Sequence, residues 1–244
     1  MQTKRSIRFM PNVYVIIPAF NEAGAIGKVV RAVPRGLVSE IIVCDNKSTD
    51  ATAQCAREAG ATVVYAPEPG YGSACLCGIA YLKSRGPSDQ PDIVVFLDGD
   101  YSDYPEEMLQ LTAPIIEGSA DLVIGSRALG KALKGALQPQ QRFGNWLATS
   151  LIRLIWGYHF TDLGPFRAIS WTQLTALDMG DPNYGWTVEM QVKAASKRIR
   201  CIEVPVSYRP RIGKSKVSGT LRGSVLAGHK ILWTIFRYAF GIKR

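Results

Sequence analysis

Short runs of β-branched and other apolar residues alternate with helical patterns through the first 125 residues of the chain. Such alternation is typical of a parallel β-sheet whose strands are joined by crossover helices. The predicted strands are Val13–Pro18, Glu40–Cys44, Thr62–Tyr65, Ile93–Leu97 and Asp121–Ile124. Helices are predicted to begin near Ala25, at Ser48 and Thr49, near Ser73 and at Pro105–Glu107. The pattern therefore predicts an α/β fold with a mostly parallel central sheet flanked by helices.

The second half of the chain, from about Gly130, has a less regular pattern. It predicts an amphipathic helix over Asn145–Trp156, a helix through Glu189, a strand within Cys201–Tyr208, a basic loop, and a final amphipathic helix. The 244 residues, of which 47% are hydrophobic, are enough for one large compact domain or for one domain with an appendage.

Three of the predicted strands end in polar clusters. The clusters are Pro18–Glu22 after the first strand, Asp45–Asp50 after the second and Asp98–Asp103 after the fourth. In open parallel sheets, ligands bind beyond the carboxyl ends of the strands. The three clusters are therefore expected to form one shared site.

Asp98 and Asp100 follow a strand that is expected to be buried on both faces, and Gly99 between them permits a sharp turn. Two neighbouring carboxylates repel each other unless a proton or a divalent cation separates them, and oxygen ligands suit Mg²⁺ or Mn²⁺. The motif therefore predicts a metal that bridges a diphosphate. The alternative is a turn whose acids cap the helix beginning at Pro105.

Other candidate residues leave two interpretations open. Helix capping explains Ser48 to Asp50 but not Asp45, whose carboxylate could accept a hydrogen bond from a nucleobase. The segment Gly70–Ser73 either faces a phosphate or forms a tight turn. The loop Arg209–Lys216 carries four cations, which either clamp a diphosphate or are simply solvated. Glu189 is either a buried, paired acid or a functional one.

The net charge of +9 comes from the end of the chain, because residues 193–244 hold 13 Lys and Arg against the single acid Glu203. Such a tail suits a phosphate-bearing substrate, an anionic membrane surface or nucleic acid. Nucleic acid is the partner least expected, since no recognition module accompanies the charge. Because Val225–Phe240 carries three basic or His residues, it does not predict a membrane span. With no secretory signal, a cytoplasmic location is expected.

Six motifs stand in order along the chain. They are Pro18–Glu22, Asp45 with Ser48–Asp50, Asp98–Asp100, Gly125–Arg127, Asp162–Arg167 and Arg211–Lys216. From about residue 12 to residue 220 their order and spacing resemble glycosyltransferase family 2, and within it the dolichyl- and polyprenyl-phosphate mannosyl- and glucosyltransferases. The resemblance implies a GT-A fold, Rossmann-like and typical of nucleotide-diphospho-sugar transferases. It also implies a nucleoside-diphosphate sugar donor, Mg²⁺ or Mn²⁺, and inversion at the anomeric carbon.

The resemblance also implies the organisation of the chain. Residues 1–220 would form the catalytic domain, with a donor half of about 12–128 and an acceptor half of about 129–220. Residues 221–244 would form a C-terminal amphipathic helix. Many relatives continue into transmembrane helices that this sequence lacks, so any membrane contact is expected to be peripheral, at the inner face.

Roles follow by position from the same resemblance. Pro18, Ala19, Asn21, Glu22 and Asp45 would bind the nucleoside of the donor. Asp98 and Asp100 would hold the metal, and Arg211 and Lys216 would close over the diphosphate. Arg127, Arg142, Asp162 and Arg167 would bind the acceptor. The sequence departs from the family pattern at Asn46, Gly99 and Tyr101, which bears on base preference and metal geometry.

The implied reaction moves a hexose from a UDP-glucose-like or GDP-mannose-like donor to a polyprenyl or dolichyl phosphate. If the acceptor is instead a hydroxyl of a glycan or small molecule, Glu189 or Asp162 is the candidate base. A sugar-nucleotide pyrophosphorylase is disfavoured because its glycine-rich first loop is absent after Pro18. A non-catalytic, membrane-associated module is a further alternative. The donor sugar, its base and the oligomeric state stay open.

Overall fold

The structure, a computed structural model, describes residues 11–213 and 221–241, and side chains of the last helix from residue 226 onwards. The strands are β1 (Val13–Ala19), β2 (Glu40–Asp45), β3 (Thr62–Tyr65), β4 (Ile93–Phe96), β5 (Leu122–Ser126), β6 (Arg167–Ser170) and β7 (Cys201–Pro205). The α-helices are α1 (Ile26–Ala32), α2 (Thr52–Glu58), α3 (Tyr71–Lys83), α4 (Met108–Ile116), α5 (Pro139–Trp156), α6 (Trp171–Leu177), α7 (Trp186–Ser196) and α8 (Leu221–Ala239).

The strands form one mixed sheet in the order β3-β2-β1-β4-β6-β5-β7. Parallel pairs join β1 to β2 and β4, β2 to β3, and β5 to β7. Strand β6 lies between β4 and β5 and runs antiparallel to both. The predicted fold class, a mostly parallel α/β sheet flanked by helices, is confirmed.

Helices cover both faces of the sheet. Val15 and Val43 face one apolar cluster, which they share with α1, α2 and α4. Ile16 and Phe96 face a second cluster, which contains residues of α3 and α5 to α8. Neighbouring residues of β1 thus enter different clusters, as the two-residue period of a strand requires. Since both faces are covered, β1 is an unbroken apolar run.

Helix α8 packs against α5 and α7. Ile235 on its inner face is fully buried, whereas Trp233 and Phe240 are 48% and 75% exposed. Within the described ranges, none of the helices combines the length and the apolar character that a bilayer crossing needs.

Two elements, β6 and α6, are absent from the sequence-based prediction. β6 has only four residues and begins at Arg167, which interrupts the apolar pattern. Helix α5 also begins earlier than the predicted Asn145, at Pro139, where Gln138 and Gln141 form a capping box. Proline at the first helical position fits because its missing N–H has no partner in the helix.

Candidate active site

The loops after β1 and β2 are tied together at the carboxyl edge of the sheet. The Asn21 side-chain oxygen accepts the backbone N–H of Thr49 at 2.8 Å, and Ser48 Oγ accepts that of Asn21 at 2.9 Å. The backbone N–H of Glu22 donates to Thr52 Oγ1 at 2.8 Å. The polar clusters that follow these two strands are therefore one connected surface, as their positions in the sequence predict.

A hydroxyl holds each carboxylate of the turn after β4. Tyr71 Oη donates to Asp98 Oδ1 at 3.0 Å. Ser102 donates to Asp100 Oδ1 from its Oγ and from its backbone N–H, the latter at 2.9 Å. Asp100 is only 5% exposed. The turn therefore presents two fixed acids rather than two mobile ones.

Burial and the nearby carboxylate of Asp100 raise the pKa of Asp98 to about 7. A divalent cation would remove this repulsion, and oxygen ligands suit Mg²⁺ or Mn²⁺. The described residues contain no group of three or more His, Cys, Asp or Glu side chains arranged around a metal position. Magnesium sites commonly combine one or two carboxylates with substrate phosphates and water. Asp98 and Asp100 therefore fit a cation whose remaining ligands come from a diphosphate.

Gly99 stands where a side chain would have little room. Its backbone lies outside the left-handed region, so the sharp turn that the sequence suggests is not the reason for glycine here. A Cβ at this position would lie 3.3 Å from the carbonyl oxygen of Pro18 and 3.4 Å from Ile26 Cδ1. The acidic turn thus packs closely against the end of β1, where Pro18 and Ala19 are buried.

Arg211 lies directly beside the two aspartates. Its Nη2 atom is 3.0 Å from Glu22 Oε1 and 3.3 Å from Asp100 Oδ2. No cation adjoins the acidic pair along the chain, but the family resemblance predicts Arg211 near the diphosphate, and the fold brings it beside Asp100. Its predicted partner Lys216 lies outside the described residues.

Asp45 and Asn46 organise the loop after β2. Asp45 Oδ1 accepts the backbone N–H of Ser48 at 3.2 Å, so turn formation accounts for part of its role. Asn46 donates to the carbonyl oxygens of Ala66 and Glu68 and accepts the N–H of Gly70. A carboxylate could not donate, so the departure from the family pattern at this position has a structural reason.

Arg209 belongs to the loop whose cations are predicted either to clamp a diphosphate or to be solvated, and the structure gives it a different set of contacts. Its guanidinium carbon lies 3.4 Å from the ring centre of Tyr101 and 4.0 Å from that of Tyr104. It also donates to the carbonyl oxygens of Tyr101 and Asp103. Arg209 therefore fastens the segment before Arg211 onto the loop that carries the aspartates.

Asp103 is a further acid of this loop. It is 1% exposed, and neither carboxylate oxygen has a hydrogen-bond partner among the described residues. Burial, together with Asp98 and Asp100, holds its pKa well above the usual value. The sequence places Asp103 in the polar cluster after β4, and the structure shows that its side chain is buried there.

Arg127 and Asp162 form a bidentate pair. Arg127 Nε and Nη2 each lie 2.7 Å from a carboxylate oxygen, and the backbone N–H of Arg127 donates to the same group. Burial alone would lower the pKa of Arg127, but Asp162 outweighs it and raises the pKa. Arg127 is therefore a fixed cation, and Asp162 is occupied in fixing it.

Arg167 has a structural position. It is fully buried and donates to the carbonyl oxygens of Leu163, Gly164 and Thr187. Burial lowers its pKa to about 10. The acceptor-binding role that the resemblance implies for Arg167 therefore does not match its surroundings, because its donors are directed at the backbone.

Glu189 lies on α7 and is 2% exposed. It accepts hydrogen bonds from Tyr238 Oη at 2.7 Å, from Lys193 Nζ at 2.9 Å and from the backbone N–H groups of Gly180 and Asp181. Burial alone would raise its pKa, but these donors bring the pKa below the usual value. A base with a lowered pKa and filled acceptor sites is poorly suited to removing a proton.

A cavity of about 770 Å³ opens beside Arg127. Its lining includes Arg142 and Arg153 together with the apolar side chains of Leu133 and Trp146. Arg127 forms part of its wall and also acts electrostatically on Asp98. The cavity therefore joins basic and apolar surface close to the acidic turn.

Comparison with known proteins places this fold among the glycosyltransferases of the GT-A type. The chain belongs to glycosyl transferase family 2, whose sequence pattern matches residues 14–172.

The relatives span almost the whole chain. An uncharacterized glycosyltransferase of Mycobacterium tuberculosis is 37% identical over 217 residues, which is 88% of this chain and 94% of the relative. The undecaprenyl-phosphate mannosyltransferase of Micrococcus luteus is 29% identical over 229 residues, covering 88% and 90%. The dolichyl-phosphate hexose transferase of Haloferax volcanii is 30% identical over 217 residues, covering 87% and 89%.

Solved structures show the same fold. Glucosyl-3-phosphoglycerate synthase of Mycobacterium tuberculosis, in complex with phosphoglyceric acid, has a TM-score of 0.74 at 25% identity over 96% of this chain and 81% of that one. A further structure of that enzyme, with Mn²⁺, UDP-glucose and phosphoglyceric acid, has a TM-score of 0.73 at 25% identity, with 96% and 81% covered.

Proposed function

We propose that the protein transfers a hexose, with inversion, from a nucleoside-diphosphate sugar to a polyprenyl phosphate. The observation that supports this choice of acceptor is the cavity of about 770 Å³, in which three arginines lie beside apolar side chains. Arginine suits phosphate, and the apolar wall suits a prenyl chain. The division into a donor half at about 12–128 and an acceptor half at about 129–220 belongs to the same proposal.

On the donor side, Asp98 and Asp100 would hold Mg²⁺ or Mn²⁺. When bound, the cation would neutralise the diphosphate and so make it a better leaving group. Asn21, Glu22 and Asp45 would bind the nucleoside from the connected loops after β1 and β2. Arg211, which already contacts Asp100, would turn its guanidinium to the diphosphate, with Lys216 beside it.

On the acceptor side, the proposed chemistry needs no general base. The second pKa of a phosphate monoester is about 6, so the attacking oxygen is already anionic near neutral pH. The two acids that are alternative candidates for the base of a hydroxyl acceptor are both engaged: Asp162 is paired with Arg127, and Glu189 is held by Tyr238 and Lys193. Arg127 and Arg142 would orient the phosphate. The two relatives whose names specify undecaprenyl-phosphate and dolichyl-phosphate substrates support the same class of acceptor.

Product analysis tests the acceptor. The protein would be incubated with Mn²⁺, a polyprenyl phosphate and either UDP-glucose or GDP-mannose, and the lipid fraction examined by mass spectrometry. We expect a hexosyl phosphoprenol from one of the donors. Arg142→Ala should reduce its formation. Arg200→Ala should not, because it removes an ion pair with Asp121 at the amino-terminal ends of β5 and β7. Transfer to hydroxyl acceptors alone would refute the lipid phosphate.

A second candidate acceptor is a small phosphorylated acid. The structural relative bound to UDP-glucose, Mn²⁺ and phosphoglyceric acid favours it, since the cavity beside Arg127 would accept either phosphate. Offering both acceptors in one reaction separates the two. Incorporation only into phosphoglyceric acid would select the second candidate and would require a base that the first does not need.

The proposal includes a peripheral contact with an anionic membrane. Helices α5 and α8 pack together and expose Phe143, Trp146, Leu154 and Trp233, and Phe240 directly after α8 is also exposed. Aromatic and apolar side chains beside cations are typical of interfacial helices. In liposome flotation, Trp233→Ser with Phe240→Ser should lower the lipid-bound fraction. Leu109→Ser is the matched control, because Leu109 is 58% exposed on α4 in the opposite layer. Equal flotation of all variants would contradict the contact.

A further inference from the structure

The first turn of α3 is connected to the acidic turn through Tyr71. Its hydroxyl lies 3.0 Å from Asp98 Oδ1. A phenol carries its proton near neutral pH, so Tyr71 donates this hydrogen bond and the carboxylate accepts it. The orientation of the Asp98 carboxylate therefore depends on where α3 begins.

The beginning of α3 is in turn pressed against residues 180–185. A Cβ on Gly72 would lie 1.9 Å from the carbonyl oxygen of Asp181, so no side chain fits between the two segments. The backbone N–H of Ser73 donates to the carbonyl oxygen of Pro182 at 2.8 Å. Because the contact is backbone against backbone, a shift of residues 180–185 must move Tyr71.

Residues 180–185 are held from α7 and α8. Lys230 Nζ of α8 is 2.8 Å from Asp181 Oδ2. Glu189 of α7 accepts the backbone N–H of Asp181 at 2.8 Å and Tyr238 Oη of α8 at 2.7 Å. Asp181 is 5% exposed and Glu189 2%, so solvent screens these contacts little. One unbroken set of contacts therefore runs from α8 to Asp98.

We propose that Tyr71 is a positioning residue for Asp98, and that α8 controls its hold on Asp98 through residues 180–185. The inference rests on the proposed function, in which Asp98 and Asp100 hold the cation. A change in the docking of α8 then changes the affinity of the site for metal and nucleotide. The coupling is reciprocal, so metal and nucleotide also tighten the docking of α8.

The hydroxyl of Tyr71 is tested by calorimetry of UDP and GDP binding to the full chain, with Mn²⁺ and with EDTA. Tyr71→Phe should weaken the Mn²⁺-dependent binding about tenfold, which is within the usual range of coupling between sites. It should leave the EDTA value unchanged. In turnover, the KM for Mn²⁺ should rise while kcat at saturating Mn²⁺ is kept. Tyr81→Phe is the matched control, because Tyr81 lies on the same helix and donates to Glu40 at 3.2 Å.

The α8 arm is tested by Tyr238→Phe and Lys230→Met, each of which should weaken Mn²⁺-dependent binding in the same direction as Tyr71→Phe. Combined with Tyr71→Phe, their effects should be less than additive, since they act through one path. His229→Ala, at an exposed neighbour of Lys230, should have no effect. Circular dichroism melts establish that every variant is folded.

Three outcomes would contradict, in turn, the role of Tyr71, the control by α8 and the proposed function. Equal Mn²⁺-dependent binding by wild type and folded Tyr71→Phe overturns the inference alone. If Tyr71→Phe weakens Mn²⁺-dependent nucleotide binding but Tyr238→Phe and Lys230→Met bind as the wild type does, control by α8 is overturned. Absence of Mn²⁺-dependent binding in the wild type refutes the proposed function itself.

Discussion

Arg211 Nη2 lies 3.3 Å from Oδ2 of Asp100, so a guanidinium stands directly beside the acidic turn after β4. The same nitrogen contacts Glu22 at 3.0 Å, which joins the loop after β1 to the loop after β4. The arginine is thus positioned by acids before any donor arrives. On binding, it can exchange these acids for the diphosphate without a large movement.

Removing this guanidinium should damage catalysis more than folding. We expect Arg211→Ala to lower kcat/KM for the donor by about 10²–10³-fold, as does loss of one donor that stabilises developing charge. Arg211→Lys should retain an intermediate activity, because lysine keeps the charge but loses the planar fork. Steady-state kinetics with either nucleotide sugar measure both variants. Activity within about threefold of the wild type in R211A would contradict the assigned role.

The Arg127–Asp162 pair should matter chiefly to the acceptor. Asp162→Asn keeps the guanidinium of Arg127 but removes the carboxylate that orients it. The KM for a polyprenyl phosphate should therefore rise about tenfold or more. The KM for the donor should stay unchanged. Breaking a buried ion pair also costs about 3–5 kcal/mol of stability, so urea unfolding must accompany the kinetics. An equal rise in both KM values would contradict an acceptor-specific role.

Stability should depend on pH through Asp98. Its pKa is about 7 in the fold, whereas in an unfolded chain an aspartate titrates near 3.9. Between these two values the folded state binds more protons than the unfolded state, so the free energy of unfolding falls as pH rises through this window. The Asp98→Asn variant does not show this fall in the free energy of unfolding. In EDTA, its stability relative to wild type should therefore grow from about pH 4 to about pH 7.

Urea unfolding of both proteins across this range measures the difference. Addition of Mn²⁺ should reduce this stability difference above pH 7, because the cation favours the ionised carboxylate of Asp98 in the wild type. A stability difference that stays constant from acid to neutral pH would show that Asp98 is not perturbed by its surroundings.

Glu189→Gln separates a catalytic from a structural role. Because its carboxylate holds Tyr238 and the backbone of Asp181, we expect a lower melting temperature. Activity at saturating Mn²⁺ should stay within about threefold of the wild type, because the residue does no chemistry on an anionic acceptor. If a well-folded variant loses nearly all activity at saturating metal, Glu189 is the base for a hydroxyl acceptor instead.

Much of the fold follows from local patterns in the sequence. The β-branched runs around Val15, Ile42 and Val95 predict parallel strands because both faces of each are buried. Strand β6 escapes the same reasoning, since four residues beginning with Arg167 show neither alternation nor an apolar run. The burial of that arginine becomes intelligible only when the carbonyl oxygens around it are known.

The candidate site divides in the same way. Asp98 and Asp100 are visible because their chemistry and their place after a strand are both local features. The contact of Arg211 with Asp100 joins residues more than a hundred positions apart. Tyr71 reaches Asp98 from the first turn of α3. No spacing rule connects such pairs. The hydrogen bonds and ion pairs that engage Asp162 and Glu189 likewise come mainly from residues distant in the sequence. The sequence alone therefore cannot decide whether either acid is a catalytic base.

The account depends most on a cation held by Asp98 and Asp100. Isothermal titration of UDP and GDP into the protein, with Mn²⁺ and with EDTA, tests this directly. We expect one of the two nucleotides to bind at least about tenfold more tightly with Mn²⁺. This gain should be lost in the Asp98→Asn and Asp100→Asn variants while the weak metal-free binding remains. Equal affinity with and without Mn²⁺ in the folded wild type would contradict the central claim.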